Sequence, residues 1–318
     1  MTSFDDFTLD PEAPVLVLGA SSIDFVGRTL SDLQEGTSNP AEILTAMGGT
    51  ARNVAENLAR LGQAVTLLSV VGHDNVGTQL LQHTRAAGVN IEHVLRTDHH
   101  PTSSYVAIVD AHGSFQFGLD DMRAIEALQA DLLEEQAPLF EEASILFLDA
   151  NLEERCLQKA VELAKQHALP ICADPTSRSL APKLMPLLDD IFLLTPNINE
   201  AAVFSQGIQG ASEDERGLNA ARHLVSRGVD LAIVTLAEFG LSYATSETDG
   251  HIPAIKIEIA DPTGAGDALS AAVMFALLNG IPADEAVRLG LSAASLTLRH
   301  RGAVLQDLSL ERLYDELV

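Results

Sequence analysis

A chain of 318 residues is long enough for one large α/β domain with a sizeable core, with or without a small appendage. It carries 45 Asp and Glu against 19 Lys and Arg, a net charge of −26, which disfavours nucleic acid as a partner because phosphate contacts need clustered cations. Two cysteines, Cys156 and Cys172, supply neither a disulfide framework nor a metal cluster and point to the reducing cytoplasm, and no apolar run reaches the roughly 18 residues that cross a membrane.

Residues 1–13 are expected as a flexible tail, since Met1 to Glu12 hold four acidic residues and no basic one, unlike a secretion signal. Residues 14–318 then read as one α/β domain. Val15 to Leu18 is a short apolar run closed by Gly19, as in a buried parallel strand. Asn53 to Leu61 has helical apolar spacing behind a Gly-Gly pair, Val65 to Val71 reads as a strand, and Gly77 to Gly88 as the helix after it. Further strands are predicted at 144–148, 170–173, 191–194, 231–235 and Ile255 to Ile259. Helices are predicted at 124–136, 153–167, 198–206, 213–227, 267–279, 283–300 and 308–317. This alternation implies a mainly parallel sheet with helices on both faces. Two segments depart from it, near 25–47 and 95–118. The second contains alternating residues from Ser104 to Phe117 around Asp110 to Gly113 and reads as a β-hairpin. Extra strands of this kind would form a small β lid over a site.

Five constellations carry chemistry. Asp261-Pro262-Thr263-Gly264-Ala265-Gly266-Asp267 opens a long apolar helix. A small-residue turn there presents free N–H groups of Gly264, Ala265 and Gly266 at the positive helix end, a ready anion site. Asp267 stands at its mouth, and a carboxylate base beside an anion cradle is what phosphoryl transfer to an alcohol requires. Gly48-Gly49 permits close backbone approach, and Asn53 can donate to and accept from hydroxyls; the plain alternative is a turn and helix cap. Asp24 lies just past the first strand, where ligands sit on open α/β sheets. Asn197 and Glu200 bracket a turn into a helix and serve either as caps or as Mg²⁺ organisers, while Thr235 and Gly240 after another strand read as a turn or a phosphate contact. No Walker-type loop, CxxC or Ser/His/Asp pattern is present.

Together these motifs resemble the PfkB (ribokinase-like) family of carbohydrate and nucleoside kinases, across about residues 14–305. The carriers are the run from Gly48-Gly49 to Gly62 and the run from Asp261 to Asp267 with the helix after it. The resemblance implies a ribokinase-like three-layer α/β/α kinase domain with a β lid, using ATP and Mg²⁺ and, in some members, a monovalent cation such as K⁺. It implies Asp267 as catalytic base, with Gly264, Ala265 and Gly266 as anion hole. Asp24, Gly48, Gly49 and Asn53 would bind substrate hydroxyls, Asn197, Glu200, Thr235 and Gly240 would serve nucleotide and Mg²⁺, and Asp261 and Thr263 would lie near the K⁺ site. Pro262 and Ala237 depart from the family's usual residues without removing a catalytic side chain. Relatives often pair through lid strands, which implies a homodimer.

Within the family, the runs Ser38–Pro40, Asp120–Met122, Asp149–Asn151 and Asp174–Ser177 are similar to those of pseudouridine kinases. That likeness implies transfer to the 5′-hydroxyl of pseudouridine, with Asn39, Tyr105 or Phe117 as lid residues facing the base. Ribokinases, other nucleoside kinases and fructose- or 2-keto-3-deoxygluconate-type kinases stay open as alternatives. A non-catalytic sensor is disfavoured by the intact Asp267 and its cradle.

Overall fold

The computed structural model describes residues 9–112, 114–205 and 209–317. β1 (Val15–Leu18) is followed by two longer strands, β2 (Ser22–Thr29) and β3 (Ala41–Gly48), before α1 (Thr50–Arg60). Next come β4 (Val65–Leu68), β5 (Val70–Gly72), α2 (Asn75–Ala86), β6 (Leu95–Thr97), β7 (Ser103–Val109) and β8 (Phe115–Asp121). Two short helices, α3 (Ala130–Glu135) and α4 (Ala137–Glu142), lead into β9 (Ile145–Asp149), α5 (Glu154–Gln166) and β10 (Ile171–Asp174). Then follow β11 (Leu193–Leu194), α6 (Ile198–Phe204), α7 (Glu213–Ser226) and β12 (Leu231–Thr235). The last third holds the hairpin β13 (Leu241–Ala244) and β14 (Asp249–Ile252), then α8 (Ala265–Leu278), α9 (Ala283–Leu298) and α10 (Leu310–Asp315).

An eight-stranded sheet in the order β14-β13-β12-β11-β10-β9-β1-β4 forms the middle layer. Its strands from β4 to β12 pair in parallel, and the two at the β14 edge are antiparallel. Alternation of side chains along each strand divides the core in two. Val15, Val17, Ile145 and Phe147 pack with α1, α8 and α9 on one face. Leu16, Leu18, Leu146 and Leu148 pack with α5 and α7 on the other. A strand buried on both faces reads as a continuous apolar run, which is why these strands were legible. Among the described residues no helix is long and apolar enough to cross a membrane.

α8 is buried along its whole length from Ala268 to Leu278, an all-round apolar helix held inside the protein. Gly290 of α9 lets the two helices close, since a Cβ there would come within 2.6 Å of Val273 and 3.2 Å of the Leu269 carbonyl. Wedged in this way, α8 holds its N-terminus in a fixed place at the carboxyl ends of the strands.

Four strands make a second, smaller sheet in the order β3-β2-β7-β8. Only its β7–β8 hairpin was expected in detail, and Gly113 of the expected turn lies outside the described residues. Other expectations need correction. The single strand at 65–71 is broken at Ser69, whose hydroxyl donates to the Gly19 carbonyl at 2.6 Å while its own carbonyl accepts from Leu95 N–H. The strand at 255–259 does not form; the polar-looking hairpin β13–β14 takes that edge of the sheet. The helix at 124–136 is split into a 3₁₀ turn, Arg123–Ala127, and α3, with Leu128 between them in a non-helical conformation. A 3₁₀ segment at Ala181–Asp190 was not anticipated, since its two prolines, Pro182 and Pro186, read as helix breakers. Most of the expected N-terminal tail, residues 1–8, lies outside the described residues. Beyond it Leu9 packs on the core, and Gln63 donates to the carbonyls of Pro11 and Ala13.

Candidate active site

A cavity of about 1220 Å³ opens between the lid sheet and the carboxyl ends of β9 and β10, bringing Asp24, Gly49, Asn53, Thr263 and Asp267 together. Its position follows the rule for open α/β sheets, in which ligands sit beyond the strand carboxyl ends. A smaller chamber of about 340 Å³ on the β3 side shares Asp24 and Thr263 and adds Asp261.

Asp267 occupies the first turn of α8 behind Gly264, which adopts φ +79° as its cap. Gly264 must be glycine: a Cβ there would also strike the Ala303 carbonyl at 2.1 Å. A Cβ on Gly266, by contrast, would meet no protein atom within 4 Å, so packing does not demand glycine at that position. The N–H groups of Ala265, Gly266 and Asp267 donate to no described residue, as expected at a helix start. Asn53 Nδ2 donates to Asp267 Oδ2 at 2.6 Å, and Oδ1 accepts no hydrogen bond from a described residue. Burial pushes the Asp267 carboxyl up to about 7; the Asn53 hydrogen bond and the Arg52 charge oppose this, and Asp149 and Asp24 add to it. A carboxyl poised there can take a proton at neutral pH.

Asp24 sits on β2, opposite Ala46 of β3 and Tyr105 of β7. It accepts from Ser22 Oγ at 2.8 Å, and burial raises its carboxyl against the pull of Ser22 and Arg52. The Gly-Gly pair turns out to make room for protein. A Cβ on Gly48 would lie 2.1 Å from Asp24 Oδ2, and one on Gly49 would lie 2.4 Å from the Ala20 carbonyl. Gly49 also takes φ +93°, so α1 can start directly beneath the Asp24 carboxylate.

Two carboxylates central to this floor were missed as site residues. Asp149, fully buried at the end of β9, accepts from the N–H of Ala20 (2.9 Å) and Ala51 (3.0 Å) through Oδ2 and from Asn151 N–H (2.9 Å) through Oδ1. It thereby ties together the first strand's exit, the start of α1 and its own loop. Asp174, at the end of β10, is raised well above the usual carboxylate range, by burial first and then by Glu200 and Asp267. Their signal in the sequence is an acidic residue closing an apolar strand, which does not by itself separate a surface cap from a buried tie.

Asn197 and Glu200 do not line the cavity. They form a reciprocal capping box on α6: Asn197 Oδ1 accepts from the N–H of Asn199 and Glu200, and Glu200 Oε2 accepts from Asn197 N–H at 2.8 Å. Their loop is nonetheless joined to α8, because Thr195 Oγ1 and Ser270 Oγ share a hydrogen bond of 2.8 Å. Thr235 bridges to Asn197 through its N–H to the Pro196 carbonyl, 3.0 Å. Gly240 closes the next turn at φ +96°, packed against the Ile252 carbonyl, and Ala237 in that turn holds φ +50°, a conformation glycine adopts with less strain. Asp261 accepts from Thr263 N–H (2.9 Å) and Gly302 N–H (3.1 Å), joining the α8 turn to the segment after α9. Among the described residues no cluster of three or more His, Cys, Asp or Glu side chains is arranged to hold a metal. Of the lid candidates, Tyr105 lines the cavity, Asn39 is engaged with the Gln34 backbone, and Phe117 stands on the opposite face of the sheet, 46 % exposed.

The family model for pfkB family carbohydrate kinases matches residues 13–309. The chain belongs to this family. This pfkB-family chain is 31% identical to the pseudouridine kinase of Escherichia coli K12 over 297 residues, covering 93% of this chain and 94% of that one. It is 27% identical to the guanosine-inosine kinase of Exiguobacterium acetylicum, over 88% of this chain and 93% of the relative. In three dimensions it superposes on Arabidopsis thaliana ribokinase, solved with ribose and ATP, with a TM-score of 0.81, 21% identity and 96% and 98% of the two chains covered. The pfkB-family chain is therefore a ribokinase-like phosphotransferase that acts on a hydroxyl group of a sugar- or nucleoside-type small molecule.

Proposed function

We propose that the chain transfers the γ-phosphoryl group of ATP to the 5′-hydroxyl of pseudouridine. The observation that carries the catalytic part is the pairing of Asp267 Oδ1, which accepts from no described residue, with the open first turn of α8. The acceptor hydroxyl hydrogen-bonds to Oδ1 and gives up its proton as its oxygen attacks phosphorus. The N–H groups of α8's first turn face the charge that develops on the transferring group. Asp24 and Asn53 hold the ribose hydroxyls beneath the lid.

The cavity walls favour a neutral acceptor. Arg123, Arg155 and Lys183 are its cations. Arg123 is paired with Asp121 at 2.7 Å, and Lys183 donates to the carbonyls of Ala150 and Leu152. Arg155 has no ion pair among the described residues, but the same walls carry seven acidic side chains, so a sugar acid would meet net negative charge there. The likeness to the Escherichia coli pseudouridine kinase over nearly the whole chain favours pseudouridine among neutral acceptors.

Mg²⁺ fits the donors near the phosphate end. Burial raises Glu200 as it does Asp174, and a divalent ion held mainly through water would relieve both carboxylates. When bound, it neutralises phosphate charge. Asp261, with one N–H on each oxygen, suits a weakly held monovalent ion such as K⁺. A homodimer through the outer lid face is part of the same reading. Ile43, Phe117 and Leu119 project there, 68, 46 and 63 % exposed, on strands at the two lid edges.

The deciding experiment is a panel of pseudouridine, uridine, guanosine, inosine, ribose, fructose and 2-keto-3-deoxygluconate with ATP and Mg²⁺. Pseudouridine should show the highest kcat/KM. A higher value for ribose or a purine nucleoside would overturn the substrate, and light scattering tests the dimer.

A further inference from the structure

Behind the base lies a chain of charged contacts that the proposed reaction does not use. Arg52 and Glu56, one turn apart on α1, are each 1 % exposed, although such side chains are almost never fully buried unless paired. Arg52 spends its donors on four partners. Nε donates to the Gly48 carbonyl (3.0 Å), Nη1 to Glu56 Oε2 (2.5 Å), and Nη2 to the Met47 carbonyl (2.9 Å) and to Asn53 Oδ1. Asn53 Nδ2 in turn donates to Asp267 Oδ2.

The chemistry of the groups gives this chain a direction. A guanidinium only donates, whereas a primary amide has one accepting and one donating end. Arg52 therefore draws the oxygen of the Asn53 amide toward itself and leaves the NH₂ for the carboxylate. A flipped amide would set two donors face to face at one end and two acceptors at the other. We propose that Arg52 is a positioning residue for phosphoryl transfer: by fixing which way the Asn53 amide faces, it keeps Asp267 Oδ2 engaged and Oδ1 available to the acceptor hydroxyl. This rests on Asp267 being the base.

The surroundings support a role beyond packing. Asp267 faces Arg52 and Asn53 from α1, together with the carboxylates of Asp149, Asp24 and Asp174 from three strands. Arg52 is thus a cation set among acids, and it also faces Asp24. Glu56 does not neutralise Arg52 alone, because Arg60 at 2.9 Å and His83 at 3.3 Å share its other oxygen. A purely structural buried ion pair would serve as well replaced by apolar groups. One that orients a base would not.

The test uses Arg52→Lys, Arg52→Gln and Glu56→Gln in the full chain, each checked by thermal melting. kcat, KM for the alcohol and the pH profile of kcat/KM are then measured. Lysine keeps the charge but cannot span all four partners. Arg52→Lys should therefore lose about tenfold or more in kcat, a larger change than in KM, which moves only through the Asn53 contact to the acceptor. In Arg52→Gln the acid limb of kcat/KM should move up by about one pH unit, and in Glu56→Gln it should move down. Wild-type kcat in Arg52→Lys, or an unmoved limb in folded Arg52→Gln, overturns the proposal; if Arg52→Gln does not fold, Arg52→Lys decides. Asp267→Asn separates the two readings. If it retains turnover, the base assignment fails; if it is dead while the Arg52 and Glu56 variants behave as wild type, only the positioning role fails.

Discussion

The floor and the roof of the cavity are built by opposite means. On the floor the carboxylates are held by other groups, Asp149 by three N–H groups and Asp267 by Asn53, which Arg52 holds in turn, and Asp24, where β2 rises from the floor into the lid, is held by Ser22. The roof is a four-stranded sheet whose inward residues, such as Tyr105 and Asp120, meet mainly open space, and whose outward face is apolar and exposed. A preorganised floor suits a reaction shared by many substrates, and an unsaturated roof suits discrimination among them. Floor substitutions should therefore act on kcat and on stability, and roof substitutions on KM and selectivity.

The sharpest break in that contrast would come at Asp267. Asp267→Asn should lower kcat by about 10³-fold or more while leaving nucleotide affinity nearly intact, measured by steady-state kinetics and equilibrium binding. It should also stabilise the fold. Asp267 has its carboxyl raised from 3.8 to about 7 in the native state, so between those values the native protein holds a proton that the unfolded chain has lost. Wild-type stability falls as pH rises through that window, and above it the ionised base carries its full cost. Asp267→Asn should thus raise stability by roughly 1–3 kcal/mol at pH 8, with no gain near pH 4, as read by denaturant melts. The second test uses two glycines two positions apart. Gly264→Ala should cost roughly 2–4 kcal/mol of stability through its left-handed backbone and the Ala303 carbonyl. Gly266→Ala should melt within about 0.5 kcal/mol of wild type and still lose about 10²-fold in kcat/KM, because its methyl enters space left for phosphate.

The next effect is a matter of conditions. With Asp267 near 7, kcat/KM should fall about tenfold per pH unit below that value and level off above it. A flat profile from pH 5 to 8 would remove Asp267 as the titrating base. The smallest expected effect belongs to the roof. Tyr105→Phe should change KM for a nucleoside by less than about tenfold, with kcat and melting temperature nearly unchanged. A large loss of kcat there would erase the distinction between floor and roof.

The sequence told the floor and the roof apart unevenly. The turn at Asp261 to Asp267 and the Gly-Gly helix start were legible because local chemistry constrains them: a helix must begin there and must stay open. The doubly buried strands were legible because both faces are apolar. Asp149 was not, since its tie to Ala20 and Ala51 spans about a hundred residues, nor was Asp174, whose hydrogen bond from Thr176 N–H is local and whose burial comes from the fold around it. Arg52 was missed for a different reason: its partners all lie within five residues, and only the fold around α1 shows that the side chain is buried. The break at Ser69 and the edge hairpin β13–β14 were hidden because polar hydrogen bonding, and not apolar period, decides them. The glycine pair was read either as a close approach to ligand or as a turn and helix cap; the space a Cβ would take is filled by Asp24 and Ala20, while Gly49 lines the cavity.

The contacts of Asp149 and Asn53 bear on how the enzyme comes into being. Asp149 grips N–H groups 129 and 98 residues earlier in the chain, and Asn53 reaches across 214 residues to Asp267. Contacts of such long sequence separation close only after the loops between them have been ordered. A nascent chain that has made its first two hundred residues thus owns Asp24, the Gly-Gly turn and Asp149, but neither Asp267, the proposed base, nor the first turn of α8, the proposed anion site. On that proposal catalytic competence comes only with α8, and a partly folded form that lacks it is inert.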